Sequence, residues 1–206
     1  MKRFTLAIVL LFVALTASAQ KFGVTGGITM SRFENMKDSG SNGYNVGIAG
    51  NFPLALGFSL QPELAYNVKG ATLPGASDAK YSTGYCELGL QAQWGLDLIV
   101  AKPYVMVEPY IGGALSNSLK WNDQSVKENM GDIAERLECG FALGAGLEIL
   151  YNLQLSAKYF WTVGSILDGD RKINSGLGST ASGQINDILD GAGNFTGTTI
   201  SLTFFF

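Results

Sequence analysis

The feature that most narrows what this chain can fold into is its final stretch, Thr199-Ile200-Ser201-Leu202-Thr203-Phe204-Phe205-Phe206. Ile200, Leu202, Phe204 and Phe206 alternate with Thr199, Ser201, Thr203 and Phe205. Period-two alternation sets the two groups on opposite faces of a β-strand. Chain ends are ordinarily frayed and polar. An aromatic residue closing an alternating strand is expected where that strand seals a sheet inside a bilayer, with its ring between hydrocarbon and water.

The opening residues agree. Lys2 and Arg3 form a short basic segment, Thr5 to Leu15 an apolar one, and Ala17-Ser18-Ala19 a small-x-small cleavage pattern. Together they predict a secretory signal peptide removed after Ala19. The apolar run is shorter than the ~20 residues a helical span needs. No cysteine follows the cleavage site, so no lipid anchor is expected. The expected division is a signal peptide over 1–19 and one barrel domain over 20–206. Beyond Gln20 no long apolar run remains, so any membrane span must be built from strands.

Seven further runs alternate in the same way: Lys21–Ser31, Gly43–Phe52, Leu56–Lys69, Tyr81–Trp94, Pro103–Leu115, Leu137–Ile149 and Leu153–Val163, with Phe195–Phe206 as the eighth. The connections between them run roughly 11, 3, 11, 8, 21, 3 and 31 residues, alternately long and short. An up-and-down barrel in an outer membrane has short periplasmic turns and long external loops. The pattern predicts an all-β fold: an eight-stranded antiparallel up-and-down transmembrane β-barrel, both ends periplasmic. Aromatic residues divide by height into a periplasmic set (Phe22, Phe52, Phe58, Trp94, Tyr151, Phe204, Phe206) and an external set (Phe33, Tyr44, Tyr66, Tyr81, Phe141, Tyr159, Trp161, Phe195). Both are read as interfacial girdles. Gly23, Gly27, Gly140, Gly144 and Gly146 carry the inward parity, where a narrow lumen leaves little room. Pro62 and Pro109 cannot donate to a ladder, so a bulge or a lost bond is expected at each.

Composition removes several kinds of chemistry. Without Lys2 and Arg3 the chain holds 12 basic against 17 acidic residues, and this net charge of −5 argues against nucleic acid as a partner. There is no histidine, so the commonest general base and metal ligand is missing. Lipid acyl-transfer by a Ser–His pair is therefore not expected. Eight strands leave no room for a sugar between paired carboxylates. Cys86 and Cys139 face outward on strands separated by a third, about 10 Å apart, too far for a disulfide. Asp168-Gly169-Asp170 with Asn174 has the outline of a calcium loop, but Lys172 stands at a ligand position and the distal Glu is missing. The chain is read as non-enzymatic, with no cofactor and no metal.

Three stretches resemble the PorT-like outer-membrane β-barrel family of Gram-negative bacteria. They are Ser59-Leu60-Gln61-Pro62-Glu63-Leu64-Ala65-Tyr66 with Lys69-Gly70, then Lys102-Pro103-Tyr104 to Pro109-Tyr110-Ile111-Gly112, and Gly140 to Glu148 with Leu153 to Tyr159. One departure is Glu87-Leu88-Gly89-Leu90, where the family often carries Glu-Ile-Pro-Leu. The resemblance implies the outer membrane, and for the family's named member a tie to a protein-secretion system.

The inward parity gathers Glu63, Glu87 and Glu108 at mid-barrel height with Lys158, near Gln61, Gln91 and Gln154. A lone buried charge costs several kcal/mol, so these groups must pair. They are read as a polar network that mostly closes the lumen. The expected partners are outer-membrane lipid, the outer-membrane insertion machinery, and a protein at the external loops 117–136 and 164–194. Short amphipathic helices are expected over Val126–Leu137 and Gln184–Leu189. The leading function is structural or surface interaction through those loops. Two alternatives stay open: a component of a secretion or surface-assembly machine, and a soluble lipocalin-like barrel with the apolar parity inside. Phe204 and Phe206 resemble the C-terminal signal that insertion machinery reads. Deleting Phe206 is predicted to lower the amount of barrel inserted in the outer membrane severalfold, measured by heat-shifted gel mobility of the membrane fraction. Normal levels would contradict the reading.

Overall fold

The computed structural model describes residues 21–35, 39–72, 80–121, 124–129, 137–150, 152–165 and 194–206. The signal-peptide segment, Tyr151, Asp168–Asn174 and Gln184–Leu189 lie outside them. Among the described residues nine strands follow in chain order: β1 (Lys21–Phe33), β2 (Ser41–Pro53), β3 (Phe58–Thr72), β4 (Lys80–Gly95), β5 (Ala101–Trp121), β6 (Gln124–Asn129), β7 (Leu137–Ile149), β8 (Leu153–Ser165) and β9 (Phe195–Phe205). All pairings are antiparallel, and β9 returns to β1 from Gly23↔Phe205 to Phe33↔Phe195. Eight strands thus form a closed ring, with β4 joined to β5 and β5 to β7. Closure gives every strand of the ring two neighbours, which a bilayer demands because hydrocarbon offers nothing to an unpaired N–H or C=O.

The predicted parity holds in all eight ring strands. Val24, Ile28, Val46, Ile48, Leu64, Leu88, Val107, Leu143, Leu155 and Leu202 are exposed on the outside. Thr25, Asn45, Gln61, Glu63, Gln91, Glu108, Gln154 and Thr203 are buried inside. A soluble ligand-binding barrel requires the reverse, so the lipocalin-like alternative falls. Cys86 and Cys139 are free thiols on the outward parity. The short connections from β2 to β3, β4 to β5 and β7 to β8 lie at the end that also holds Lys21 and Phe205.

Both prolines cost ladder pairing without shifting the register. Across Pro62, Ala49 pairs with Glu63 and Phe52 with Leu60, while the rungs between are missing. Across Pro109, Gly89 pairs with Tyr110 and Ala92 with Val107, again with missing rungs. The bulges fall elsewhere, between Gly84 and Tyr85 on β4 and between Cys139 and Gly140 on β7.

Two expectations are corrected. The first is the loop 117–136 with a helix over Val126–Leu137. Its first part is a β-hairpin: β5 runs on to Trp121, and Gln124–Asn129 folds back along it as β6. Trp121 pairs with Gln124, so only Asn122-Asp123 connects them, a two-residue connection rich in turn formers. The second concerns Phe33, Tyr81 and Phe195, which do not join the external girdle. They are 0%, 3% and 1% exposed and point into the lumen. Tyr44, Tyr66, Phe141, Tyr159 and Trp161 remain on the outside.

The inward glycines have a specific reason. On the β5–β7 seam, Tyr104 pairs with Gly146, Met106 with Gly144 and Tyr110 with Gly140. A Cβ on Gly146 would overlap the Tyr104 hydroxyl, and one on Gly140 the Tyr110 hydroxyl. Large inward side chains of β5 lie across the bare backbone of β7. Gly146→Val should therefore destabilise the barrel by about 1–3 kcal/mol. Gly164→Ala, where a Cβ meets nothing within 4 Å, should stay within about 0.5 kcal/mol. Urea unfolding in detergent micelles checks both.

Candidate functional site

The interior polar side chains form a column built from the periplasmic mouth outward. At that mouth Lys21 Nζ meets Glu148 Oε1 at 2.9 Å. Above it lies a knot of amides. Asn51 Nδ2 and Gln93 Nε2 donate to Gln61 Oε1 at 3.2 and 3.0 Å. Gln93 Nε2 also donates to Gln91 Oε1 at 2.9 Å, and Ser59 Oγ donates to Gln93 Oε1 at 3.2 Å. Alternation alone brings them together: Gln61 and Gln91 are register partners on β3 and β4, and Ser59 pairs with Gln93. Amides suit this place because each both donates and accepts.

Two ion clusters follow. In the first, Lys158 Nζ donates to Glu108 Oε1 and Oε2 at 2.9 and 2.7 Å and lies 3.6 Å from Glu63 Oε1. Gln91 Nε2 donates to Glu63 Oε2 at 3.0 Å, linking the cluster to the amide knot. In the second, Lys69 Nζ contacts Glu87 at 2.6 Å and Glu138 at 2.5 Å. Asn67 Nδ2 donates to Glu87 Oε2 at 3.0 Å, and Thr29 Oγ1 donates to Asn67 Oδ1 at 2.9 Å. The Lys69 ammonium also lies 4.7–4.9 Å from the ring centres of Tyr85, Tyr110 and Phe160. Aromatic faces at that distance attract a cation that has lost its water.

An aromatic lid ends the column externally. Phe33 and Phe195 stack at 4.7 Å, Tyr81 stacks on Phe33 at 6.1 Å, and Tyr85 meets Phe195 edge-on at 6.4 Å. Between the two ion clusters a cavity of about 10 Å³ remains, lined by Asn45, Asn67, Glu87, Glu108, Lys158 and their neighbours. That is at the lower limit for a single water.

The structure thus joins Glu63, Glu108, Lys158, Gln61 and Gln91 into one connected network. Glu87 stands one level higher with different partners. Lys69 and Glu138, which the site assignment left out, complete its cluster. Both carry inward parity, so alternation marked them. The uneven ratio of three glutamates to one lysine accordingly becomes four to two, with Lys21–Glu148 as a separate pair. Phe204 and Phe206 face outward at 52% and 76% exposure, while Phe205 between them is buried. The Phe206 amide donates to the Phe22 carbonyl at 2.9 Å. Among the described residues no group of three or more Cys, Asp or Glu could hold a metal ion.

A closed eight-stranded antiparallel barrel with an aliphatic outside, an aromatic residue at each rim and a charged, paired interior is an outer-membrane barrel. Consistent with this, the Outer membrane protein beta-barrel domain matches residues 18–168, and the chain belongs to that family. No curated protein matches it in sequence. Among solved structures it is similar to Ail, the attachment invasion locus protein of Yersinia pestis. That similarity is 15% identity over 91% of this chain and 99% of the other, with a TM-score of 0.43. It is also similar to Neisserial surface protein A, with 10% identity, 91% and 99% coverage and a TM-score of 0.46. The N-terminal β-barrel domain of Pseudomonas aeruginosa OprF gives 10% identity, 90% and 97% coverage and 0.38.

The charge arithmetic of the upper cluster generates a signed prediction. Lys69→Met leaves Glu87 and Glu138 buried without a counter-charge and should cost about 3–5 kcal/mol. Glu87→Gln leaves one lysine with one glutamate, and its amide oxygen still accepts from Asn67, so stability should change by less than about 1 kcal/mol. Unfolding midpoints in detergent for the two variants test this, and equal losses would overturn the pairing account.

Proposed function

We propose that this protein is a sealed, non-catalytic outer-membrane barrel whose role is structural or a surface interaction made through its external segments, 117–136 and 164–194. The observation that carries this reading is the filled lumen. Ion pairs, amides and stacked rings occupy it from the Lys21 mouth to the Phe33–Phe195 lid, and the space between the ion clusters is about 10 Å³. A pore needs a continuous wet path, and a binding cavity needs some 300 Å³ or more. Function then falls to what projects outside, beginning with the β5–β6 hairpin that rises beyond the ring. In this reading Glu63, Glu87, Glu108, Lys158, Gln61 and Gln91 hold shape, and Phe204 and Phe206 serve as the assembly signal. The signal peptide ending at Ala19 takes the chain to its membrane.

Planar-bilayer recording of the purified, heat-shiftable barrel tests the seal. Only baseline current, or rare small cation-preferring steps, is expected; large stable anion-selective openings would refute it. Cross-linking in intact outer membranes separates the roles. A partner captured through 117–136 or 164–194 supports the surface role, whereas capture of secretion components favours the PorT-like, secretion-machine alternative.

A further inference from the structure

One outward-facing groove carries chemistry that closing a barrel does not require. It lies near the external end, has a volume of about 460 Å³, and is lined by Met30, Arg32, Asn42, Tyr159 and Thr198 with adjacent backbone. Register explains the convergence. Asn42 pairs with Met30, Met30 with Thr198 and Thr198 with Tyr159, a single row across β2, β1, β9 and β8. Arg32 stands one step further out, in a row with Thr196, Trp161 and Phe141. Tyr159, Trp161 and Phe141 contact one another at 4.6 and 5.0 Å and mark the outer interfacial belt. Arg32 is therefore held at the level of lipid headgroups.

Its pairing is unusual for this chain. Lys21, Lys69, Lys102 and Lys158 each have a carboxylate within 4.0 Å. Arg32 is exposed and has no acidic or hydrogen-bonding partner among the described residues. Lys80 also has none, but it stands at the loop end of β4 and does not line the groove. The side chains of Asn42 and Thr198 make no hydrogen bond among the described residues either. Three polar groups are thus left with unspent donors around one concavity. Below them the wall is apolar, with Val24 and Ile28 on β1, Val46 on β2 and Ile200 on β9. Gly26 leaves a gap in that wall, since a Cβ there would meet nothing closer than 3.8 Å.

We propose that this groove binds the phosphate-bearing headgroup of an outer-leaflet lipid. The planar guanidinium of Arg32 grips two phosphate oxygens, the geometry for which arginine is suited. Asn42 and Thr198 donate to the remaining oxygens. The acyl chains lie along Met30, Ile28 and Val24, over the gap at Gly26. A free phosphate would satisfy the donors and leave the apolar track unused, so the lipid is the occupant the whole groove fits. This does not depend on the role of the external loops.

Native mass spectrometry of the full-length barrel released from detergent tests the assignment, with bisphosphorylated lipid A, phosphate-stripped lipid A and inorganic phosphate as probes. Retention of the bisphosphorylated lipid is expected to fall roughly tenfold in Arg32→Ala, in line with loss of a charge-assisted contact. Arg32→Lys should fall between, and Lys80→Ala should match the parent. Heat-shifted gel mobility confirms that each variant is folded. Unchanged retention by Arg32→Ala, or equal retention of the stripped lipid, overturns phosphate recognition at this groove. Displacement of the lipid by an equal concentration of inorganic phosphate overturns the lipid as occupant.

Discussion

Everything in this structure depends on the pairing of β9 with β1. In hydrocarbon an unpaired backbone N–H or C=O has no water to turn to, so the sheet must close. Eight strands close on a lumen only as wide as the side chains that fill it. The alternation that puts aliphatic groups into lipid forces the polar half of every strand into that narrow space. There it is shut off from bulk water, and each charge must find an opposite one. The ion clusters, the amide knot and the glycine–tyrosine fits are thus consequences of closure at this strand number. The same closure supports the proposed seal, because side chains that touch in order to pair fill the space between them.

The interior solves its electrostatics by level. Lys158 answers Glu63 and Glu108, while Lys69 answers Glu87 and Glu138. Each lysine faces two carboxylates, and each cluster adds neutral donors: Gln91 to Glu63, Asn67 to Glu87. The rings of Tyr85, Tyr110 and Phe160 add a further attraction for the Lys69 ammonium without adding charge. The small-against-large seam of β5 and β7 lets these bulky groups coexist. Tyr104 and Tyr110 reach across the lumen because Gly146 and Gly140 give them the space.

Facing was legible in the sequence, whereas height around the ring was not. A one-residue slip would turn every side chain of a strand to the wrong solvent, so the alternation around Glu63, Gln91, Tyr110 and Lys158 was strongly written. Phe33, Tyr81 and Phe195 were assigned to the outer girdle by level, although each shares the parity of its inward neighbours Thr29, Tyr85 and Thr199. Facing should have overruled level there. Lys69 and Glu138 carried the correct parity too, but they stand on β3 and β7 and meet only through their side chains inside the lumen, a contact that no local pattern announces. The β5–β6 hairpin was missed for a different reason. An amphipathic helix and a short strand are hard to separate over six residues, and the turn formers Asn122-Asp123 were the signal to weigh.

A closed and charge-paired interior also changes what an unpaired charge outside means. Inside, a cation without a carboxylate would be a structural defect, and none of the described ones is left so. On the outer wall, the guanidinium of Arg32, held at the aromatic belt, meets no acid among the described residues. Its favourable partner must come from the surroundings, and at that level the surroundings are headgroups. The contrast between Lys69, caged by its own fold, and Arg32, turned toward the membrane, separates the charges that make this barrel from a charge the barrel can offer to its surroundings.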